Sequence, residues 1–338
     1  MRRIIALFVL LCLVVSGCSS HRLSKGRAFR LTKVSYSDLP GWQDDDFTAA
    51  YPALERACVK PAKEWIGFCA GLKEYKTASS QEIRRYMEKK LTPYQVTSYG
   101  DKKGRITGYY ESELTGSQTR TNGVQVPIYG APAGYQKDKK YATREDIEED
   151  GLDAPVIAWA DDPVDLFLMH VQGSGRLETP TGEIHLGFAG SNGRPFTGIG
   201  QILADEGLLE KVGHSMVQIR EWLKNNPQKA KKLMAKNDRY IFFREIQGET
   251  PIGTAGVPLT PRHSVAVDTN YIPLQTPMWL VTTAPDGEKI RTVVVAQDTG
   301  AAIKGGIRAD YFFGHGEEAF LLAGRMNTQG SYYLLLPD

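Results

Sequence analysis

The stretch that most constrains this chain is residues 293–313, VVVAQDTGAAIKGGIRADYFF. The apolar run over 293–296 has the length and β-branching of a buried strand. It ends at Asp298, Thr299 and Gly300, where the chain has to turn. A small-residue loop with Gly300, Gly305 and Gly306 then leads to a second carboxylate, Asp310, set between Arg308 and the aromatics Tyr311, Phe312 and Phe313. Two carboxylates on either side of a glycine loop can converge on one groove. There one can protonate a leaving oxygen while the pair manages the charge that follows. The same spacing also fits a turn aspartate and a surface acid paired with Arg308. The stretch alone leaves both readings open.

The chain has 338 residues, enough for two domains or one large one. Its first residues read as a targeting signal: Arg2 and Arg3, an apolar stretch over 4–15, then Val15-Ser16-Gly17-Cys18. This looks like a bacterial lipobox, with Cys18 as the lipidated first residue of the mature chain. An ordinary secretory signal with an incidental cysteine is the competing reading. Ser19 rather than Asp after the cysteine points to the outer membrane, with the domain facing the periplasm. Losing residues 1–17 removes two arginines and no acid, so the formal charge of +2 becomes balanced. A balanced surface argues against a nucleic-acid partner. Cys58 and Cys69 remain, and fit either a disulfide in an oxidising compartment or two buried thiols. The histidines are scattered and show no metal-ligand spacing, so no metal or organic cofactor is expected.

Along the chain, residues 18–40 read as a polar tether. Helices follow, one over 44–58 limited by Pro52, another opened by a Ser79–Glu82 capping box. From Ile106 the pattern turns to strands, at 106–111, 124–129, 156–160 and 166–172, divided by Gly, Pro and Asp turns. Helices return over 199–236, where a lysine-rich run reads as a solvated helix face. Strands at 240–244, 264–268, 278–283 and 290–296 follow, then a short helix at 317–326 and a terminal strand at 331–336.

Further stretches place polar groups amid glycine and aromatics: GYYES from Gly108, VQGSG from Val171, GFAGSNGRPFTGIG from Gly187 and SVAVDTNYIP from Ser264. Glycines let backbone approach a ligand, and tyrosine faces with amide groups suit sugar rings. Tight turns between strands explain each stretch equally well. Together, in order, and with the opening stretch, they resemble the membrane-bound lytic murein transglycosylase A family. Asp268, Asp298 and Asp310 also resemble the three-aspartate ("3D") barrel module.

The resemblance implies a mainly β, α+β fold. A double-psi β-barrel domain is expected from residues 41–108 and 245–338, with a second β-barrel domain, 109–244, inserted and a glycan groove between them. It implies Asp310 as the catalytic acid and Asp298 as its partner. Tyr109, Tyr110, Glu111, Gln172, Gly173, Ser174, Asn192, Asp268 and Lys304 are implied on the substrate side, although the position of Glu111 varies in the family. The implied activity is lytic cleavage of peptidoglycan glycan strands to 1,6-anhydromuramyl ends. Two other readings fit the same barrel: a non-catalytic polysaccharide-binding protein, and an ordinary glycoside hydrolase using both aspartates.

Overall fold

The computed structural model describes residues 29–121, 123, 125–209, 215–249 and 251–337. The signal segment and Cys18 lie outside them. In chain order the elements are β1 (Phe29–Lys33), α1 (Phe47–Ala57), α2 (Ile66–Leu72), α3 (Ser80–Lys90), β2 (Leu91–Ser98), β3 (Gly104–Ser117) and β4 (Val126–Tyr129). Then come α4 (Arg144–Asp150), β5 (Val156–Ala160), α5 (Pro163–Gln172), β6 (Gly175–Thr179), β7 (Gly182–Ser191), α6 (Ile199–Asp205), α7 (Met216–Asn225), α8 (Pro227–Ala235) and β8 (Ile241–Ile246). The chain ends with β9 (Ser264–Val267), β10 (Pro277–Thr283), β11 (Lys289–Asp298), β12 (Arg308–His315), α9 (Gly316–Arg325) and β13 (Asn327–Pro337).

Six strands close into a barrel, in the order β13, β10, β11, β9, β12, β3 and back to β13. The β9–β11 and β3–β12 pairs are parallel and the others antiparallel. The run over 293–296 is fully buried because one face fills the barrel and α1 covers the other. Gln297, also fully buried, ties that cover down by donating Nε2 to the Ala53 carbonyl at 3.0 Å. A second ring forms from β3, β6, β7, β8, β4 and β5, with Gly130 bridging Phe243 to join β4 to β8. This second lobe has its own core around Leu114, Ile128, Leu177 and Phe243.

One strand serves both lobes. Residues 105–109 of β3 pair with β12, residues 112–115 with β6, and residues 116–117 with β5. The boundary expected at 108/109 therefore falls inside a continuous strand. Two further expectations are corrected. The tether expected over 18–40 is folded where it is described: β1 pairs with β2, and Ser35 caps a helical turn at Tyr36–Asp38. The strand expected at 166–172 is the helix α5. Asp162 caps it by accepting from the amides of Val164 (2.7 Å) and Asp165 (3.1 Å), Pro163 starts it, and Gly173 ends it at φ 89°. Leu166 and Met169 pack into the second-barrel core while Val164, Phe167 and Leu168 pack into a helical core on the other side. A helix buried on two sides carries no amphipathic stripe, so its period is hidden.

Helix α1 runs through Pro52, whose ring is exposed, because Phe47, Ala50, Tyr51, Ala53, Leu54 and Ala57 bury the opposite face. That burial outweighs the lost helical hydrogen bond. Cys58 and Cys69 are disulfide-bonded and join the end of α1 to α2 across a sequence separation of 11. Cys58→Ser should lower stability by about 2–3 kcal/mol, seen in the denaturation midpoint. An unchanged midpoint would contradict it.

The segment leading into α1 is tied to β11 by Asp45, whose Oδ2 accepts from Thr292 Oγ1 at 3.1 Å and the Val293 amide at 3.2 Å. Burial pushes its carboxyl up to about 6, against those hydrogen bonds. The folded state therefore binds this proton more tightly than the unfolded chain, where the value is 3.8. Its contribution is complete below the unfolded value and is lost as pH rises through about 6. Asp45→Asn should be the more stable protein near neutral pH, by about 1–2 kcal/mol allowing for partial exposure, and the difference should vanish in acid. Urea titrations at both pH values check this, and an equal difference at both would refute it.

Candidate active site

The site begins with strand register. Asp298 on β11 and Asp310 on β12 are both paired with Ala266 of β9, which lies between their strands. Asp310 is also paired with Thr107 of β3. Residues in one cross-strand row share a face, so Asp298, Ala266, Asp310 and Thr107 form a single row across four strands. The two aspartates are two strand spacings apart, about 9–10 Å between Cα atoms. Ala266 between them is small, which leaves room for their side chains to lean together.

Both carboxylates are enclosed by protein on most sides, yet each keeps part of its surface open to solvent. Burial raises the Asp310 carboxyl above its ordinary range. The Arg308 charge, a hydrogen bond from Thr107 Oγ1 and the Arg105 charge oppose this, while the Asp298 charge adds to it. The Arg308 guanidinium donates to its neighbour's carbonyl, Ala309 O, at 2.6 Å, and its own charge is disfavoured by burial.

Burial also raises Asp298, opposed by donors from Thr254, Thr299 and Tyr109. Asp298 Oδ1 accepts from the Thr254 amide and from Thr254 Oγ1, both at 2.9 Å. The Tyr109 hydroxyl is buried beside Asp298 without a hydrogen bond of good geometry. Burial, then the charges of Asp298 and Asp310, hold that phenol neutral. Its ring packs on Phe312, with centroids 5.1 Å apart. The turn from the second lobe meets the same strand, where Gln172 Oε1 accepts from the Tyr110 amide at 3.4 Å. Gly173 and Ser174 follow, both partly exposed.

The remaining expected residues have other tasks. Glu111 is fully buried and ion-paired through Oε2 with Arg176 Nε at 2.7 Å, so it braces β3 against β6 and cannot reach a ligand. Asn192 is fully buried and spends its amide on backbone. Nδ2 donates to the carbonyls of Ala142 (3.0 Å) and Asp238 (2.8 Å), and Oδ1 accepts from the amides of Tyr240 (2.9 Å) and Arg194 (3.3 Å). Asp268 is nearly buried and clasps the glycine loop through the Gly305 amide at 2.9 Å. Burial would raise Asp268, but bonds from Gly305 and Asn270 and the nearby Lys304 charge hold it below the ordinary range. Lys304 is exposed on that loop. Tyr110 is buried against Phe320 on the other side of β3, beside a pocket of about 50 Å³ that is lined by neither Asp298 nor Asp310. Thr107 and Thr254, which bond the two carboxylates, carried no signal in the sequence beyond ordinary strand and loop threonines.

Comparison with known proteins agrees with this architecture. Residues 105–244 match the model of the MltA specific insert domain, and residues 263–336 match the 3D domain. The membrane-bound lytic murein transglycosylase A homolog of Buchnera aphidicola is 32% identical over 270 residues, which cover 77% of this chain and 73% of that protein. The chain belongs to the membrane-bound lytic murein transglycosylase A family. The crystal structure of MltA from Neisseria gonorrhoeae is similar to this family member at a TM-score of 0.82 and 34% identity, over 93% of this chain and 94% of that one. A crystal structure of Escherichia coli MltA with bound chitohexaose has a TM-score of 0.73 and 25% identity, over 92% and 95% of the two chains. The insert-domain match starts at Arg105, inside β3, in keeping with a strand shared by both lobes. Among the described residues no helix is long and apolar enough to cross a membrane.

Proposed function

We propose that this lytic murein transglycosylase cleaves the β-1,4 bond between MurNAc and GlcNAc with Asp310 as its single acid and base. Asp310 begins protonated and gives its proton to the glycosidic oxygen. The bond to C1 breaks, and positive charge develops on the muramyl ring. Ionised Asp298 faces that charge across Ala266. The C6 hydroxyl of the same sugar attacks C1 and returns its proton to Asp310. The hydroxyl is tethered to the reacting carbon, so its effective concentration is high. No water is consumed, and the product carries a 1,6-anhydromuramyl end.

The observation that carries this reading is the unequal donor set within one cross-strand row. Oδ1 of Asp298 receives two donors from Thr254, which favours the ionised form there. Asp310 receives a single hydroxyl donor, from Thr107, which with the Arg308 charge favours ionisation, but burial outweighs both and favours the retained proton. The chitohexaose held by the Escherichia coli relative supports a glycan as the occupant of the groove. Anchoring of Cys18 in the outer membrane by lipid, with the domain in the periplasm, fits a murein substrate and the membrane-bound relatives. Incubating the domain with purified murein tests the reaction. Its muropeptides should weigh one water less than hydrolysed ones. Products of hydrolysed mass would move the protein to the hydrolases, and bound but uncleaved murein would make it a binding protein.

A further inference from the structure

The segment over 251–259 returns the chain from the second lobe to the barrel, and it is docked on the strand that carries Asp298. Its ends close on themselves, with Gly253 N to Val257 O at 3.0 Å and Leu259 N to Pro251 O at 2.8 Å. The Ala255 amide donates to the Gln297 carbonyl at 3.0 Å. The approach is close enough that a Cβ on Gly253 would stand 2.5 Å from that carbonyl oxygen. Arg56 of α1 holds the far end, donating to Leu259 O (3.2 Å) and Thr260 Oγ1 (2.7 Å). Thr254 is therefore presented to Asp298 by a braced loop.

The direction of its hydrogen bonds follows from counting protons. Thr254 Oγ1 is 2.9 Å from Asp298 Oδ1 and 2.8 Å from Thr299 Oγ1. A hydroxyl has one proton to give. If Thr254 gives it to the carboxylate, Thr299 must donate to Thr254, and a relay runs from Thr299 through Thr254 to Asp298. Oδ1 also accepts the Thr254 amide at 2.9 Å. An oxygen accepting two donors cannot itself carry the acid proton. Each bond in such a chain strengthens the next. The titratable groups facing Asp298 are Tyr109 from β3 and Asp310 from β12, with Arg308 and Arg105 beyond Asp310.

We propose that Thr254 is a positioning residue, which with Thr299 holds Asp298 ionised so that the proton of the pair resides on Asp310. This rests on the assignment of the two aspartates above. In that scheme activity fails in acid when Asp298 takes up a proton, and fails in alkali when Asp310 loses one. Thr254→Val keeps the shape and the amide donor but removes the hydroxyl. The acid limb of kcat/KM should move to higher pH, with about a tenfold loss on that limb and little change on the plateau. Thr254→Ser should restore the wild-type limb. A uniform loss at every pH, or a serine variant as impaired as the valine, would overturn the proposal. Asp298→Asn separates this inference from the assignment beneath it. Survival of the acid limb in Asp298→Asn would sink the assignment. A limb that vanishes there but stays put in Thr254→Val sinks the role of Thr254 alone.

Discussion

Asp310→Asn should lower turnover by about three orders of magnitude while leaving glycan affinity close to that of the parent. The amide keeps the shape of the side chain and can still accept the Thr107 hydroxyl bond. It lacks the proton that the leaving oxygen needs, and a positioned general acid supplies roughly 10²–10⁴-fold. Binding should survive because the proposed substrate, a glycan strand, offers several sugars besides the one at the scissile bond. Asp298→Asn should cost less, about 10–100-fold, since it weakens charge stabilisation without removing the transferred proton. Single-turnover rates and glycan affinities of the two variants check both statements. An inactive Asp298→Asn beside a largely active Asp310→Asn would reverse the roles.

The second large effect is on stability. Gly104 opens β3, and a Cβ there would lie 1.9 Å from the carbonyl oxygen of Ile307 and 2.7 Å from its Cβ. The obstacle is backbone, so no side-chain rotation relieves it. Arg105 is in register with Arg308 and Thr107 with Asp310, so pushing residue 307 away disturbs the start of the strand that carries Asp310. Gly104→Ala should therefore lose about 2–4 kcal/mol and also reduce turnover in the protein that remains folded. Gly67→Ala is the control. It lies in α2 with nothing within 4 Å of the added Cβ, and should gain about 0.5–1 kcal/mol from helix propensity. Chemical denaturation of the pair decides. Equal effects at the two positions would show that the close approach at Gly104 does not constrain the barrel.

The barrel strands were legible because their β-branched runs end in clear turns. Residues 293–296 and 265–267 are apolar throughout, which is what strands covered on both faces require. The positions of the two carboxylates were legible at either end of the glycine loop, but their roles came from the family resemblance, because the same spacing fits a turn aspartate and a surface ion pair. Helix α5 was not, despite Asp162-Pro163 before it and Gly173 after it, because its residues are buried on two sides. Glu111 and Asn192 show a different limit. A polar residue among glycines and tyrosines indicates that backbone approaches something closely, but not whether that is a ligand or the chain itself. In both cases it is the chain: Arg176 for Glu111, four backbone groups for Asn192. Thr254 and Thr107 were hidden because their importance arises only from register and from the docking of a distant loop.

The central claim is that Asp310 holds the proton at working pH, and the direct measurement is of that proton. Infrared difference spectra of the resting protein, with carboxyl carbons isotopically labelled at aspartate, compare the parent with Asp310→Asn near neutral pH. The substitution should remove the signal of a protonated carboxyl and leave the ionised aspartates in place. Loss of an ionised carboxylate signal instead, with any protonated carboxyl band unchanged, would contradict it.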